Sequence, residues 1–374
     1  MKKILTFMLS LVILTCTCAF AEEPVAFDEW RRPNIKTEGG LTIGYMHNNG
    51  GAESMIRSNR QAEIECAKRG WEIVYVIFET DQEAVDGFNN LVNQGVDAIV
   101  LTGMQNMNAK VDMILRARDE GIGVYCNDNQ IVDGIISNCT QPNGQAAMQL
   151  AYAIGEDFNW QGNAFMLTMK SMNMHLERTD PIAALIGQGH AFPNMELLAY
   201  EDVPAGGGNL ERCYQYAQTW WQQYGEDMDV VFASYDGFAI AAAEAIIAAG
   251  DAHGEHVVCA GIDGGSQAWA YIRNNTPFKY SLAQPFELYT HNVFEIIDDI
   301  QVKGLNPGDE GCLLTKAGTA VYATGLVITP DNVPAVGTPI HEVFDYYGMD
   351  PEDPDAWFNW DDGNGIYMVT EGDE

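Results

Sequence analysis

Asp128 closes the run Gly121-Ile-Gly-Val-Tyr-Cys-Asn-Asp128, and Asp263 closes the run His256-Val-Val-Cys-Ala-Gly-Ile-Asp263. Both runs are short, apolar and rich in β-branched residues, which reads as a strand ending at a carboxylate. An ionised carboxylate in that place can accept from a pair of ligand hydroxyls, in charge-assisted bonds roughly twice as strong as neutral ones. A plainer use of the same position is to cap the next helix. That the two halves of the chain repeat the placement favours the ligand role.

The elements that must carry these carboxylates repeat as well. Asp97-Ala-Ile-Val-Leu-Thr102 and a helical segment precede the first, and Asp229-Val-Val-Phe-Ala-Ser234 and a helical segment precede the second. In the first half, strands are expected over 41–46, 71–78, 97–102 and 122–126. Helices fall between them, one of which (81–95) sets Val85, Phe88 and Val92 on one face. After a short strand at 135–139, the stretch Thr140-Gln-Pro-Asn-Gly144 reads as a crossing. A second alternating series follows to 262, then a helix over 266–274, a strand over 279–283, a helix over 288–302 and one more strand over 321–328. Such alternation predicts parallel sheets covered on both sides, with ligands bound at the carboxyl ends of the strands.

Length and charge narrow the classes. The chain has 374 residues, with 53 Asp and Glu against 19 Lys and Arg, giving a net charge of −34. So acidic a chain repels phosphate backbones, which excludes nucleic acid as a partner. Met1-Lys-Lys, the apolar run 4–15 and Ala19-Phe-Ala21 have the three regions of a secretory signal over residues 1–21. Cleavage after Ala21 is the preferred reading, and a lipoprotein signal using Cys16 or Cys18 is the alternative. The remaining residues exceed what one core usually holds, so two lobes are expected. Residues 22–40 read as a tether or frayed start. Cys66, Cys126, Cys139, Cys213, Cys259 and Cys312 lie mostly in apolar segments and read as buried thiols; Cys126 with Cys139 is the pair to test for a bridge.

An exported acidic chain with two successive βα series and crossings near Thr140 and Gln284 resembles the type I periplasmic sugar-binding proteins, the ribose- and galactose-binding members best. The resemblance runs over roughly 41–330. It implies an α/β fold of two doubly wound parallel-sheet lobes joined by a multi-strand hinge. The amino-terminal lobe would be 41–141 plus 285–320, the carboxy-terminal lobe 142–284 plus 321–333, and 334–374 an acidic tail containing aromatic residues. It further implies a periplasmic or outer-face location, no enzymatic activity, no cofactor, and a monomer. The chain would capture a small sugar and deliver it to the permease of an ATP-driven importer, or serve a chemoreceptor or sensor kinase.

Residue by residue, the resemblance carries over Asp128 in Cys126-Asn-Asp-Asn129 and Asp263 in Gly261-Ile-Asp-Gly264. It matches Arg178 in Leu176-Glu-Arg-Thr179 to a binding arginine, Gln284 in Ser281-Leu-Ala-Gln-Pro285 to a hinge glutamine, and Asn48 to a ligand contact at the first strand's end. Tyr235 stands where asparagine is common, and Asn129 where an arginine often follows the aspartate. Arg178 could donate in a fork while keeping the carboxylates ionised, and Gln284 and Asn48 can each donate and accept. A surface ion pair is the plainer role for Arg178, and a core aromatic the plainer role for Tyr235. One departure stands out: the family's pair of ring-covering aromatics after the first strand is here Ala52-Glu-Ser-Met55. Either another residue, such as Tyr235 or Trp269, then covers the apolar face of the ligand, or the ligand is not a simple pyranose.

Rival chemistries find less support. No phosphate-cradling Gly-rich signature, nucleophile elbow or paired-His zinc helix occurs in the sequence. Met166, Met169, Met172, Met174 and His175 could suit Cu(I), although methionine more often fills gaps in a core. The acidic stretch 350–365 does not match a calcium loop and reads as a solvated tail, with packing of its aromatic residues back on a lobe as the alternative.

Overall fold

The computed structural model describes residues 32–48, 52–186, 192, 194–316, 318–344, 350, 353, 356–359 and 367–372. The expected signal, with Cys16 and Cys18, lies outside the described residues.

The first series comprises β1 (Thr42–Asn48), α1 (Glu53–Arg69), β2 (Glu72–Phe78), α2 (Asp81–Gln94), β3 (Ala98–Leu101), α3 (Val111–Asp119), β4 (Gly123–Asn127) and β5 (Asn138–Thr140). The second comprises α4 (Asn143–Asp157), β6 (Gln161–Thr168), α5 (Asn173–Leu185), β7 (Asn194–Asp202), α6 (Asn209–Tyr224), β8 (Val230–Ala233), α7 (Asp236–Ala249), β9 (Val258–Asp263), α8 (Ser266–Arg273) and β10 (Phe278–Ala283). Then come α9 (Phe286–Ile297), β11 (Ala320–Tyr322), β12 (Leu326–Ile328) and α10 (Ile340–Val343).

Local chemistry sets these limits. Glu83 N donates to Thr80 Oγ1 (3.2 Å) and Thr80 N donates to Glu83 Oε2 (2.9 Å), a reciprocal box that starts α2. Gly95, at φ 71°, ends it in the left-handed conformation that glycine adopts without strain. On β1, Ile43 and Tyr45 face a core shared with Ala62 of α1, while Met46 faces the opposite core with Phe88 and Leu91 of α2. The sheet is thus buried on both sides, as parallel strands require.

Each lobe holds a six-stranded sheet, ordered β11-β5-β4-β3-β1-β2 in one and β12-β10-β9-β8-β6-β7 in the other. All pairs are parallel except β10 with β12. β1 sits between β2 and β3, and β6 between β7 and β8, so strand order reverses beside each of them. The crevice at such a reversal, outside the carboxyl ends, is where open sheets bind ligands.

The chain passes between sheets after β5, after β10 and after β11. The third passage corrects the expected single strand over 321–328. Ala320–Tyr322 pairs with β5 of the first sheet, and Leu326–Ile328 with β10 of the second, so the crossing lies after Tyr322 rather than after Ala320. Gly325 makes the step possible, because a Cβ there would lie 2.3 Å from Ala283 O.

The structure also decides four other readings. The described start of the chain is docked rather than frayed: Asn34 N donates to Gly121 O and Lys36 N to Gln301 O. Cys126 and Cys139 cannot bridge, because Cys126 pairs with Asn138 and Asn127 with Cys139, which turns the two thiols to opposite faces of the sheet. All six cysteines among the described residues are free, and burial pushes the Cys66 and Cys213 thiols up to about 12. Met166 lies in a different core from Met169, Met172 and Met174, and all four are buried, in keeping with the core-filling reading. In the tail, aromatic and aliphatic side chains pack back on the lobes, while the described acidic residues Glu342, Asp350 and Asp353 stay exposed. Ile340, Phe344, Trp357, Phe358 and Val369 are buried, and Trp357 stacks on His291 of α9 at 4.4 Å. Burial of these apolar side chains outweighs the solvation of their acidic neighbours.

Candidate ligand site between the lobes

The loop after β4 turns at Asp128 (φ 48°), and the loop after β9 turns at Asp263 (φ 147°). Left-handed backbone is uncommon outside glycine, and strain of this kind concentrates at functional sites. Asp128 belongs to the first lobe and Asp263 to the second, and Arg178 of α5 joins them. Its Nη2 donates to Asp128 Oδ2 (3.1 Å) and its Nη1 to Asp263 Oδ1 (3.4 Å) and Ser234 O (3.2 Å). Nε donates to Asn143 Oδ1 (2.8 Å), which fixes the plane of the guanidinium. Arg178 is therefore a buried ion-pair partner across the cleft rather than a surface cation, with 3% of its side chain exposed.

Thr140 Oγ1 completes Asp128 by donating to Oδ1 (2.6 Å). Gln284 Nε2 donates to Asp263 Oδ1 (2.6 Å), and Gln284 N to Asp263 O (2.8 Å), so the second crossing holds the second carboxylate. Burial pushes Asp263 up to about 6, Asp128 adds to the shift, and Arg178 opposes it. Behind it, Asp236 accepts from Gly264 N (2.7 Å) and Ser281 Oγ. Burial, then the Asp263 charge, push Asp236 up to about 8, so it holds a proton at neutral pH. His175 donates to or accepts from Ser234 Oγ (2.7 Å) and is buried neutral, its pKa lowered to about 3 by burial and then by Arg178.

Of the six sequence-derived candidates, Asp128, Arg178, Asp263 and Gln284 form one connected network. Tyr235 joins Asp263 in lining a cavity of about 130 Å³ between the lobes. Asn48 stands apart, with its side chain against Gly103, where a Cβ would fall 2.6 Å from Asn48 Oδ1. Trp269 cannot cover a ligand, because it is fully buried in the core. Asn129 Nδ2 and Gln141 Oε1, near Asp128, are buried polar atoms without a protein partner.

Sequence reasoning missed the other wall of the cavity. Glu53, at the start of α1, accepts from Ser266 N (2.5 Å) and Ser266 Oγ (3.0 Å) of α8 in the other lobe. Arg57 forks onto Glu287 (both bonds 2.7 Å) and donates to Gly264 O (3.2 Å), again across the lobes. Gln267, Tyr367, Thr370 and Gly372 also line the cavity, the last three from the tail. A carboxylate one residue past a helix start is a local signal that could have pointed to Glu53. No local signal points to Tyr367.

The lobes are therefore closed on each other. The cavity offers roughly ten times the space that one water needs. Its walls combine carboxylate and amide groups with the rings of Tyr235, Phe286 and Tyr367. No group in it is paired as nucleophile and base; the arrangement can hold a small molecule rich in hydroxyls by hydrogen bonds.

Comparison with known proteins agrees with this architecture. No curated protein matches the sequence. A galactofuranose binding protein superposes with a TM-score of 0.68 at 16% identity, covering 78% of this chain and 96% of its own. A sugar ABC transporter protein from Yersinia enterocolitica subsp. enterocolitica 8081 gives 0.70 at 17% identity, covering 86% and 94%. An ABC transporter solute binding protein from Agrobacterium vitis, with bound allitol, gives 0.67 at 19%, covering 79% and 97%. At these identities the likeness establishes the fold. These are described as binding or transport proteins, not enzymes. Residues 43–293, more than half of the chain, match the family described as periplasmic binding protein domain, and this chain belongs to that family.

Proposed function

We propose that this protein captures a small sugar or polyol between its lobes, outside the cytoplasm, and presents the closed form to the permease of an ATP-driven importer. The observation that carries the reading is the Asp128–Arg178–Asp263 network, to which each lobe contributes one carboxylate and whose Asp263 lines a cavity of about 130 Å³. Asp128 and Asp263 accept from ligand hydroxyls, Arg178 and Gln284 donate, and Tyr235 lies against the ring. A ligand that touches both lobes stabilises the closed form and not the open one, which is what a permease can read. That solved neighbours include a galactofuranose binding protein and an allitol-bound protein supports a polyhydroxylated ligand. Among the described residues no helix is long and apolar enough to cross a membrane.

The test is the melting temperature of the chain, unfolded and refolded to strip carried ligand, against pentoses, hexoses, polyols, amino acids, nucleosides and metal ions. A ligand that binds only the folded state stabilises it by about 2.7 kcal/mol at a hundredfold excess over its Kd. A shift with one or two sugars or polyols supports the reading. A shift only with nucleosides, amino acids or metals overturns the ligand class.

A further inference from the structure

The carboxy-terminal segment is fastened to both lobes. On the second lobe, Thr370 N donates to Ser266 Oγ (3.0 Å) and Arg273 donates to Pro334 O (2.9 Å) and Thr370 O (3.3 Å). Gly372 lies so close to α8 that a Cβ there would fall 2.7 Å from Gln267 Cα. On the first lobe, Trp357 stacks flat on His291, and Arg57 lies over the Phe344 ring at 5.7 Å. Between these anchors, Val369 N donates to Thr338 O (2.9 Å), Gly337 N to Val369 O (2.8 Å) and Ile340 N to Tyr367 O (3.0 Å), so two passes of the segment brace each other. Val369 is 1% exposed.

That bracing delivers Tyr367 to the cavity also lined by Glu53, Tyr235, Asp263 and Gln267. The stretch Ala52-Glu-Ser-Met55 at the start of α1 contributes no ring to this wall; it contributes Glu53, whose carboxylate is held by Ser266. A sugar ring presents an apolar face of C–H groups, which binds best against an aromatic surface, and the lobes' own strand-end segments offer Tyr235, after β8, and Phe286, after β10. We propose, resting on the sugar-binding reading above, that the carboxy-terminal segment is part of the ligand site and that Tyr367 supplies a further aromatic wall covering the apolar face of the sugar. Because its anchors are on both lobes, that wall is complete only in the closed form, so the segment adds to the free energy by which the ligand favours closure.

The experiment is titration calorimetry with the sugar that gives the largest thermal shift, on the full chain and on Tyr367→Ala, Tyr367→Leu and Trp357→Ala. Tyr367→Leu keeps an apolar side chain of similar bulk, which preserves the fold if alanine does not. Both Tyr367 substitutions are expected to weaken binding roughly tenfold or more. Trp357→Ala, which removes one of the segment's anchors on the first lobe, is expected to lower the melting temperature and to weaken binding less than either Tyr367 substitution. Sugar binding at unchanged affinity in both Tyr367→Leu and Tyr367→Ala overturns the role of Tyr367 while leaving the sugar reading intact. An original chain that answers to no sugar or polyol overturns the sugar reading, and with it the ring-covering role.

Discussion

Arg178→Lys should weaken ligand binding by one to two orders of magnitude. Three of the four partners of Arg178, namely Asn143 Oδ1, Ser234 O and Asp263 Oδ1, lie in the second lobe and stay in place when the lobes part. Only the bond to Asp128 Oδ2, at 3.1 Å, exists solely in the closed form. A lysine ammonium is a point charge on a single stem and cannot span two carboxylates held by separate arms of a guanidinium. It will keep the partner that is always near, Asp263, and give up Asp128. A hydrogen bond between charged groups contributes about 1.5–3 kcal/mol, and about 1.4 kcal/mol is a factor of ten, so closure and therefore affinity lose roughly 10- to 150-fold. Calorimetric titration at pH 7.5 measures this directly. Affinity within about twofold of the original would refute the reasoning, because it would mean that the cross-lobe pair does not distinguish closed from open.

Other outcomes follow from the same geometry. Ligand affinity should fall as pH is lowered through about 6, because protonated Asp263 loses acceptor capacity toward ligand hydroxyls; Arg178, Asp128, Asp236 and Arg57 are the charged or titratable groups nearby, and a flat Kd between pH 4.5 and 7.5, roughly, would contradict it. Stability of the ligand-free protein should run the opposite way. Asp263 and Asp236 have folded pKa values raised to about 6 and about 8, so between the ordinary carboxylate range and those values the folded state holds protons that the unfolded state has released, and stability drops as pH rises through that window. Arg57→Met should cost about 3–5 kcal/mol by stranding Glu287 in the interior, with part recovered in the double variant Arg57→Met with Glu287→Gln, read from denaturant midpoints. Gly261→Ala should cost about 1–3 kcal/mol and weaken ligand binding, since its Cβ would meet Asp236 Oδ1 at 2.4 Å and push on the turn that carries Asp263.

Much of the fold was legible because strands and helices announce themselves locally. The apolar runs before Asp128 and Asp263 became β4 and β9, and the amphipathic stretch 81–95 became α2. The misreadings had physical causes of a different kind. The strand expected over 321–328 has β propensity throughout, but its halves serve different sheets, and only the partner strands β5 and β10 decide that. Trp269 has the same ring whether it faces a ligand or the core, and helix α8 turns it inward. Asn48 sits at a strand end facing the crevice side of the sheet, yet Gly103 takes up its side chain.

The sequence by itself determined the alternation of strands and helices, the doubling of that pattern, and the two carboxylates at corresponding strand ends, because each depends on residues within a few positions of one another. Only the tertiary structure decided that Arg178 would hold both carboxylates at once, that Glu53 would reach across to Ser266, and that a segment far past β10 in the chain would bring Tyr367 to the cavity. Those contacts join residues from both lobes and the tail. Their geometry follows from how the lobes close and where buried aromatic side chains anchor the chain's end, and no local pattern encodes either.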